Sequence, residues 1–307
     1  MQRSDVMQRS ANGRGALAGG RAVYIAMLAP ALCLLFVTVV PFLDGVYTSL
    51  TNEKLYAGAT RFIGFANYLK LAQNSTFWVA LANTLIYAGL ATLIQIPLGL
   101  AVALLLDVPS KVQWFFRSTI ALPLLIPPVV AGLMWKTMMQ PQSGILNWLL
   151  AQIGLPPFAW LSDPATALLS IILIDTWLFM PLAAIILLAG LQSISGEVLE
   201  AARIDGANAW QTVRHIKLQA LKPYIVLVAL FRIPDALKSL EIIYATTRGG
   251  PLNATRTLHV MAYEEAYRWS SLGRAMAIVF ILWVLSYVFS TILLSLWRKE
   301  EVRFHGR

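Results

Sequence analysis

The sequence predicts an all-α, polytopic membrane protein with six transmembrane helices. Two observations lead there. Of 307 residues, 58% are hydrophobic and 13% charged, with a mean hydropathy of +0.67, whereas soluble globular chains carry about 25% charged residues. The charges are also gathered between long apolar runs, and about 20 apolar residues are what a helix needs to cross a bilayer. This balance excludes a disordered chain, a secreted disulfide scaffold and an ordinary cytosolic enzyme. The single cysteine, Cys33, can form neither an intrachain disulfide nor a zinc cluster by itself, and it reads as a small buried apolar residue.

Residues 22–43 contain no charge and follow a polar tail, residues 1–21, with Arg3, Arg9, Arg14 and Arg21. Their apolar core is longer than that of a cleaved signal peptide, so a retained first span is expected. Residues 71–106 are also free of charge and give a second span from about Trp78. The third, Ser118 to Trp135, carries Pro123, Pro127 and Pro128. Such prolines free backbone carbonyls that protein or a wet cavity must satisfy. The fourth, about Ala165 to Leu191, is interrupted by Asp175, and the fifth covers about residues 223–247. The sixth, Ala275 to Trp297, ends at Arg298 and Lys299. The chain thus divides into a basic tail (1–21), a six-helix membrane domain (22–297) and a short C-terminal tail (298–307).

Basic flanks set the orientation. With a cytoplasmic N-terminus, the segments on the cytoplasmic side hold fourteen Lys and Arg and the opposite segments seven. Both termini are therefore expected to be cytoplasmic. Much of the net charge of +9 is then topology, with no nucleic-acid partner implied.

The fifth span is unusual. Arg232, Asp235, Lys238 and Glu241 recur every three residues, with Pro234 between the first two. Each charge costs roughly 2.5–3.5 kcal/mol at a helix centre, so four cost on the order of 10–14 kcal/mol. The eleven Ile, Leu, Val and Phe residues of 223–247 return only about 3–7 kcal/mol on that scale. The helix should therefore pack in the bundle centre or line a wet cavity. Intramembrane ionisable residues are candidates for a solute pathway. The alternative is a structural ladder whose i,i+3 charges neutralise one another. Asp175 poses the same question.

Between the fourth and fifth spans, residues 196–223 are too polar to span a membrane and rich in helix formers. Glu200 to Ile204 reads as a short helix, Gly206 as a sharp turn, and Trp210 onward as an amphipathic helix ending near Pro223. Ala201 and Ala202 offer a flat face for a partner, and Glu200, Arg203 and Asp205 can make charged hydrogen bonds at its rim. The alternative is a helix lying on the membrane surface.

This segment resembles the EAA loop of ABC-importer inner-membrane permeases: Glu-Ala-Ala, three residues, Gly, nine residues, then Ile-x-Leu-Pro. Glu200, Ala201, Ala202, Gly206, Ile216 and Leu218 stand at matching places, and Gln219 replaces the proline. Residues 62–68 (Phe-Ile-Gly-Phe-Ala-Asn-Tyr) and Asn83-Thr84-Leu85 resemble the sugar branch of that family, the maltose and glycerol-phosphate type. So do the proline-rich third span, Gly144 with Asn147, and residues 247–251 with Thr255.

The resemblance implies a type I ABC importer permease fold in the prokaryotic inner membrane and a chain that is not itself an enzyme. It implies three kinds of partner besides membrane lipid and solute: a homologous second permease, a dimer of ATPase subunits that carry ATP and Mg, and an extracytoplasmic solute-binding protein. Glu200, Ala201, Ala202, Arg203, Asp205 and Gly206 would couple to the ATPase. Asn83, Asp175, Trp177, Phe179, Arg232, Asp235, Lys238 and Glu241 would line the solute path. There Trp177 and Phe179 either stack on a sugar ring or only pack. Independently, no Gly-Lys dipeptide occurs, hence no P-loop, so no ATP or other cofactor is expected on this chain. The three histidines, His215, His259 and His305, form no metal or catalytic constellation with a cysteine in the sequence. A rival expectation is a stand-alone secondary transporter or channel that uses the charged fifth helix as an ion relay.

Overall fold

A computed structural model describes residues 28, 30, 32–56, 58–107 and 113–305, so the expected basic tail over 1–21 lies outside the described residues. Among the described residues the regular structure is helical, save one isolated bridge between Thr51 and Phe62. In chain order the helices are α1 Leu32–Ser49, α2 Ala66–Ala72, α3 Ser75–Leu106, α4 Gln113–Ala121, α5 Pro128–Met138, α6 Ile145–Gln152, α7 Pro164–Gln192 and α8 Gly196–Ile204. Then come α9 Ala209–Thr212, a π-helical turn Val213–Lys217, α10 Leu218–Ala220, α11 Lys222–Leu237, α12 Glu241–Thr246, α13 Leu258–Tyr267 and α14 Leu272–His305.

Helix starts follow local chemistry. The Asn74 side chain accepts from the Thr76 amide at the start of α3, and Asp163 accepts from Ala165 at the start of α7, with Pro164 in the first turn. Among the described residues four helices, α1, α3, α7 and α14, are long and apolar enough to cross a membrane. The expected third span is a broken pair: Trp114–Leu125 and Pro128–Met138 meet at 94°. Ile126 is extended there, before Pro127 and Pro128, neither of which can donate a backbone hydrogen bond.

The expected fifth span is also divided. Helix α11 has 16 residues, a rise of about 24 Å against a hydrocarbon core of about 30 Å. The chain leaves helical geometry over 238–240 and resumes as α12. The criterion of length and apolarity is therefore met by four helices, or five spans when the bent pair counts as one. The remaining segment of the six expected is the charged α11–α12 pair. At the C-terminus, α14 runs unbroken through the boundary expected at Trp297.

Small residues set the bundle's closest approaches. A Cβ on Gly99 of α3 would lie 2.7 Å from the Ala183 Cβ of α7, and one on Gly190 of α7 would lie 2.7 Å from the Tyr224 ring of α11. The central apolar cluster joins Tyr87 and Ala91 of α3 to Ile171, Ile174 and Leu178 of α7, and to Leu237 and Ile243 around the α11–α12 break. Helix α1 stands apart, with only 11% of its span buried. Cys33 is accordingly exposed on it, contrary to the expectation from its apolar neighbours.

Candidate functional site

One α11 side chain organises the bundle's polar interior. Arg232 donates from Nε to Oε1 of Gln95 (2.8 Å) and from Nη2 to Oδ2 of Asp175 (2.8 Å). Gln95 Nε2 donates to the same Asp175 oxygen at 2.7 Å. The Arg232 and Asp175 side chains are each 1% exposed, and Gln95 is fully buried. The guanidinium also lies 4.3 Å from the centroid of the Phe179 ring. Its Nη1 reaches Asp235, whose side chain is 57% exposed. The cluster thus clamps α3, α7 and α11 together and turns one carboxylate outward.

Charge spacing alone misassigns part of this. Among the described residues, Arg232–Asp235 is the only ion pair within the expected ladder. Helix α11 ends at Leu237, so Lys238 and Glu241 lose the helical register that would pair them. Asp235, Lys238 and Glu241 are all exposed. Arg232 and Asp175 are sealed in the interior and cannot touch a solute in this state. Asn83 is tied down: its Nδ2 donates to the carbonyls of Asn253 and Arg256, at 3.0 Å each. Trp177 packs edge-on against Trp135, with centroids 5.7 Å apart, and Phe179 backs the guanidinium. Sequence reasoning misses Gln95, whose signal is one of two amides, with Asn83, in the apolar stretch that starts at Trp78.

The second site is the loop after α7. Asp205 caps α8, and Gly206 follows at φ +77°. The Gly206 amide donates to the Arg203 carbonyl (3.1 Å) and the Ala207 amide to that of Ala202 (2.9 Å), closing the helix end. A Cβ on Gly206 would meet nothing within 4 Å, so the positive φ, not crowding, calls for glycine here. Asn208 and Gln211 then exchange reciprocal 2.8 Å hydrogen bonds that open α9.

Glu200, Ala201, Arg203 and Asp205 are exposed, whereas Ala202 is buried, so the flat face expected of both alanines reduces to Ala201. Ile204 and Trp210, 87% and 67% exposed, supply apolar surface beside it. A cleft of about 300 Å³ opens between Leu199, Arg203, Thr212 and Val213. The Lys217 ammonium pairs with Asp107 at the end of α3 (2.5 Å). Where Gln219 replaces the family's proline, the bend is made by the π turn and by the helix break at Leu221.

A charged clamp buried between three helices, in a chain with four long apolar helices among its described residues, suits a membrane component. Residues 95–299 match the family described as "Binding-protein-dependent transport system inner membrane component". The chain belongs to this family. The match contains Gln95, Asp175, the whole loop and Arg232. The permease is 30% identical over 273 residues to the trehalose/maltose transport system permease protein MalF of Thermococcus litoralis, covering 89% of this chain and 92% of the relative. It is 33% identical over 289 residues to the sulfoquinovosyl glycerol transport system permease protein SmoG of Agrobacterium fabrum, covering 92% of each. Its fold is similar to a chain of a bacterial ABC transporter involved in import of the acidic polysaccharide alginate, with TM-score 0.79, 24% identity, and coverage of 90% of this chain and 95% of that one. The permease is a membrane component of an ABC transporter and not a catalyst.

Proposed function

We propose that the permease carries a sugar or sugar derivative inward through the bacterial or archaeal inner membrane, with both termini in the cytoplasm. ATP is hydrolysed on a separate dimer of ATPase subunits, a homologous second permease completes the pathway, and an extracytoplasmic binding protein delivers the solute. Kinship with permeases named for trehalose/maltose and sulfoquinovosyl glycerol transport supports the solute class.

The observation that carries this reading is the α8–α9 loop. It is a rigid, doubly capped projection with Glu200, Ala201, Arg203, Asp205, Ile204 and Trp210 outward. The buried Ala202 and the positive φ of Gly206 set its shape. Closure of the ATPase dimer pushes this projection. The motion passes along the continuous chain into α11 and through Lys217–Asp107 into α3. There Arg232, Asp175 and Gln95 keep α3, α7 and α11 moving as one body. The exposed Asp235, Lys238 and Glu241, with Phe179 behind Arg232, face the solute path, while Asn83 and Trp177 shape it from within the protein.

Affinity purification of the tagged chain from its native membrane, followed by mass spectrometry, tests the assembly. An ATPase subunit and a second permease should come with it, and the ATPase alone should be lost when Glu200→Lys is combined with Gly206→Trp. Recovery of the chain free of any ATPase would contradict the reading.

A further inference from the structure

The end of the bundle opposite the docking loop holds a cleft that the translocation reading does not use. Helix α11 runs away from the loop, so α12, α13 and the start of α14 lie at the far end. There a cavity of about 400 Å³ is lined by Tyr244, Arg248, Tyr263, Glu264, Tyr267 and Arg268, a volume within the range of small-ligand sites.

Three tyrosines form its wall. The ring centroids of Tyr244 and Tyr263 are 4.7 Å apart, and those of Tyr263 and Tyr267 are 4.8 Å apart. Among the described residues none of the three hydroxyls makes a hydrogen bond within the chain. Aromatic faces with free hydroxyls at their edges suit a pyranose, whose C–H faces are apolar and whose rim is polar.

The charges in the cleft do not cancel. Glu264 is already held by Arg256 at 2.7 Å and by Arg268 at 3.6 Å. Arg248 is exposed, with its guanidinium 5.9 Å from the Tyr244 centroid, and among the described residues it pairs with no carboxylate. Its backbone sits at φ +53°, a conformation that disfavours a side-chain-bearing residue. The turn is pinned in that shape by Thr255, whose hydroxyl lies 2.6 Å from that of Thr247 and donates to the Gly250 carbonyl at 2.6 Å. An unpaired, positioned guanidinium over an aromatic wall is a reader of planar or tetrahedral anions.

We propose that this cleft is a solute subsite that takes a pyranoside bearing a carboxylate or sulfate, with the sugar ring against the tyrosines and the acidic group at Arg248. The assignment rests on the reading of the chain as a sugar permease and adds the charge of the solute. The exposed Asp235, Lys238, Glu241 and Arg248, with the half-buried Tyr244 between them, lead from the polar clamp to this cleft, so it would act as the outer station of one path.

The test uses the full-length permease purified with its partner subunits and saturation-transfer NMR titrations with three probes: methyl β-D-glucuronide, glucose 6-sulfate and methyl β-D-glucoside. The acidic probes should bind about tenfold more tightly than the glucoside, the size of one charge-assisted hydrogen bond. Arg248→Gln should abolish that preference, and Tyr263→Ala should weaken all three probes. Arg268→Gln, at a side chain two-thirds exposed, should retain the fold and lower acidic-probe binding at least twofold. Equal affinity for acidic and neutral probes, or a preference that survives Arg248→Gln, would overturn the proposal. If no probe binds while the ATPase copurifies, the subsite is wrong and the permease reading stands. If the ATPase is absent as well, both fall.

Discussion

Arg232 of α11 and Asp175 of α7 meet 57 residues apart in sequence, at 2.8 Å and almost wholly out of solvent. Removing one partner from a buried pair strands the other charge, at a cost of about 3–5 kcal/mol. Asp175→Ala should therefore lower the melting temperature of the detergent-purified permease markedly. Asp175→Leu combined with Arg232→Met should recover part of the loss, because neither charge then needs solvation. A single variant that melts with the wild type would refute the clamp.

Helix approach at Gly99 gives a second expectation. A side chain there collides with Ala183 and the Ala184 backbone of α7, whereas a Cβ on Gly89 of the same helix meets nothing within 4 Å. Gly99→Val should destabilise by about 1–3 kcal/mol through overpacking. Gly89→Ala should leave the melting curve unmoved or slightly raised.

In the α8–α9 loop, Gly206→Val forces a β-branched residue into the left-handed region, a strain of roughly 1–2 kcal/mol. Solute-stimulated ATP hydrolysis by the reconstituted complex should fall severalfold, with little change in the melting temperature of the bundle. Glu200→Lys reverses an exposed charge and should produce the same loss. Full stimulation in both variants would show that the loop is not the coupling element.

Glu265 on α13 makes stability depend on pH. Its burial is the largest influence and raises its pKa above the ordinary 4.5; Glu264 adds to this, while Arg274 and, less, Arg256 oppose it. A raised native pKa means that the folded state holds the proton longer than the unfolded chain does. This contribution is full below pH 4.5 and is lost as pH climbs through the raised value. Stability should therefore decline over that window by no more than about 1.4 kcal/mol per pH unit for one proton, and the melting temperature should fall with it. Glu265→Gln should flatten the decline.

Elements that depend on local chemistry were legible in the sequence. The prolines at 123, 127 and 128 marked unusual backbone within the third span, but the 94° break there depends on both prolines at 127 and 128 and was not read from them. Gly206, at a fixed distance from Glu-Ala-Ala, announced the turn. What depends on meeting across the bundle was not legible. Gln95 stands 137 residues from Arg232 and carries no charge to draw notice. The i,i+3 spacing of Lys238 and Glu241 suggested pairing on one helix, but the chain departs from helix at those positions. Ala202 and Ala201 are chemically alike, and only the packing of the loop turns one inward and the other outward.

The central claim, that this permease has no motor of its own and is driven through residues 196–221, is tested most directly by sugar uptake into proteoliposomes. Uptake should occur only when the partner ATPase and ATP are present on the loop side, and none should come from the isolated chain under any ion gradient. Gradient-driven uptake by the isolated chain would contradict it.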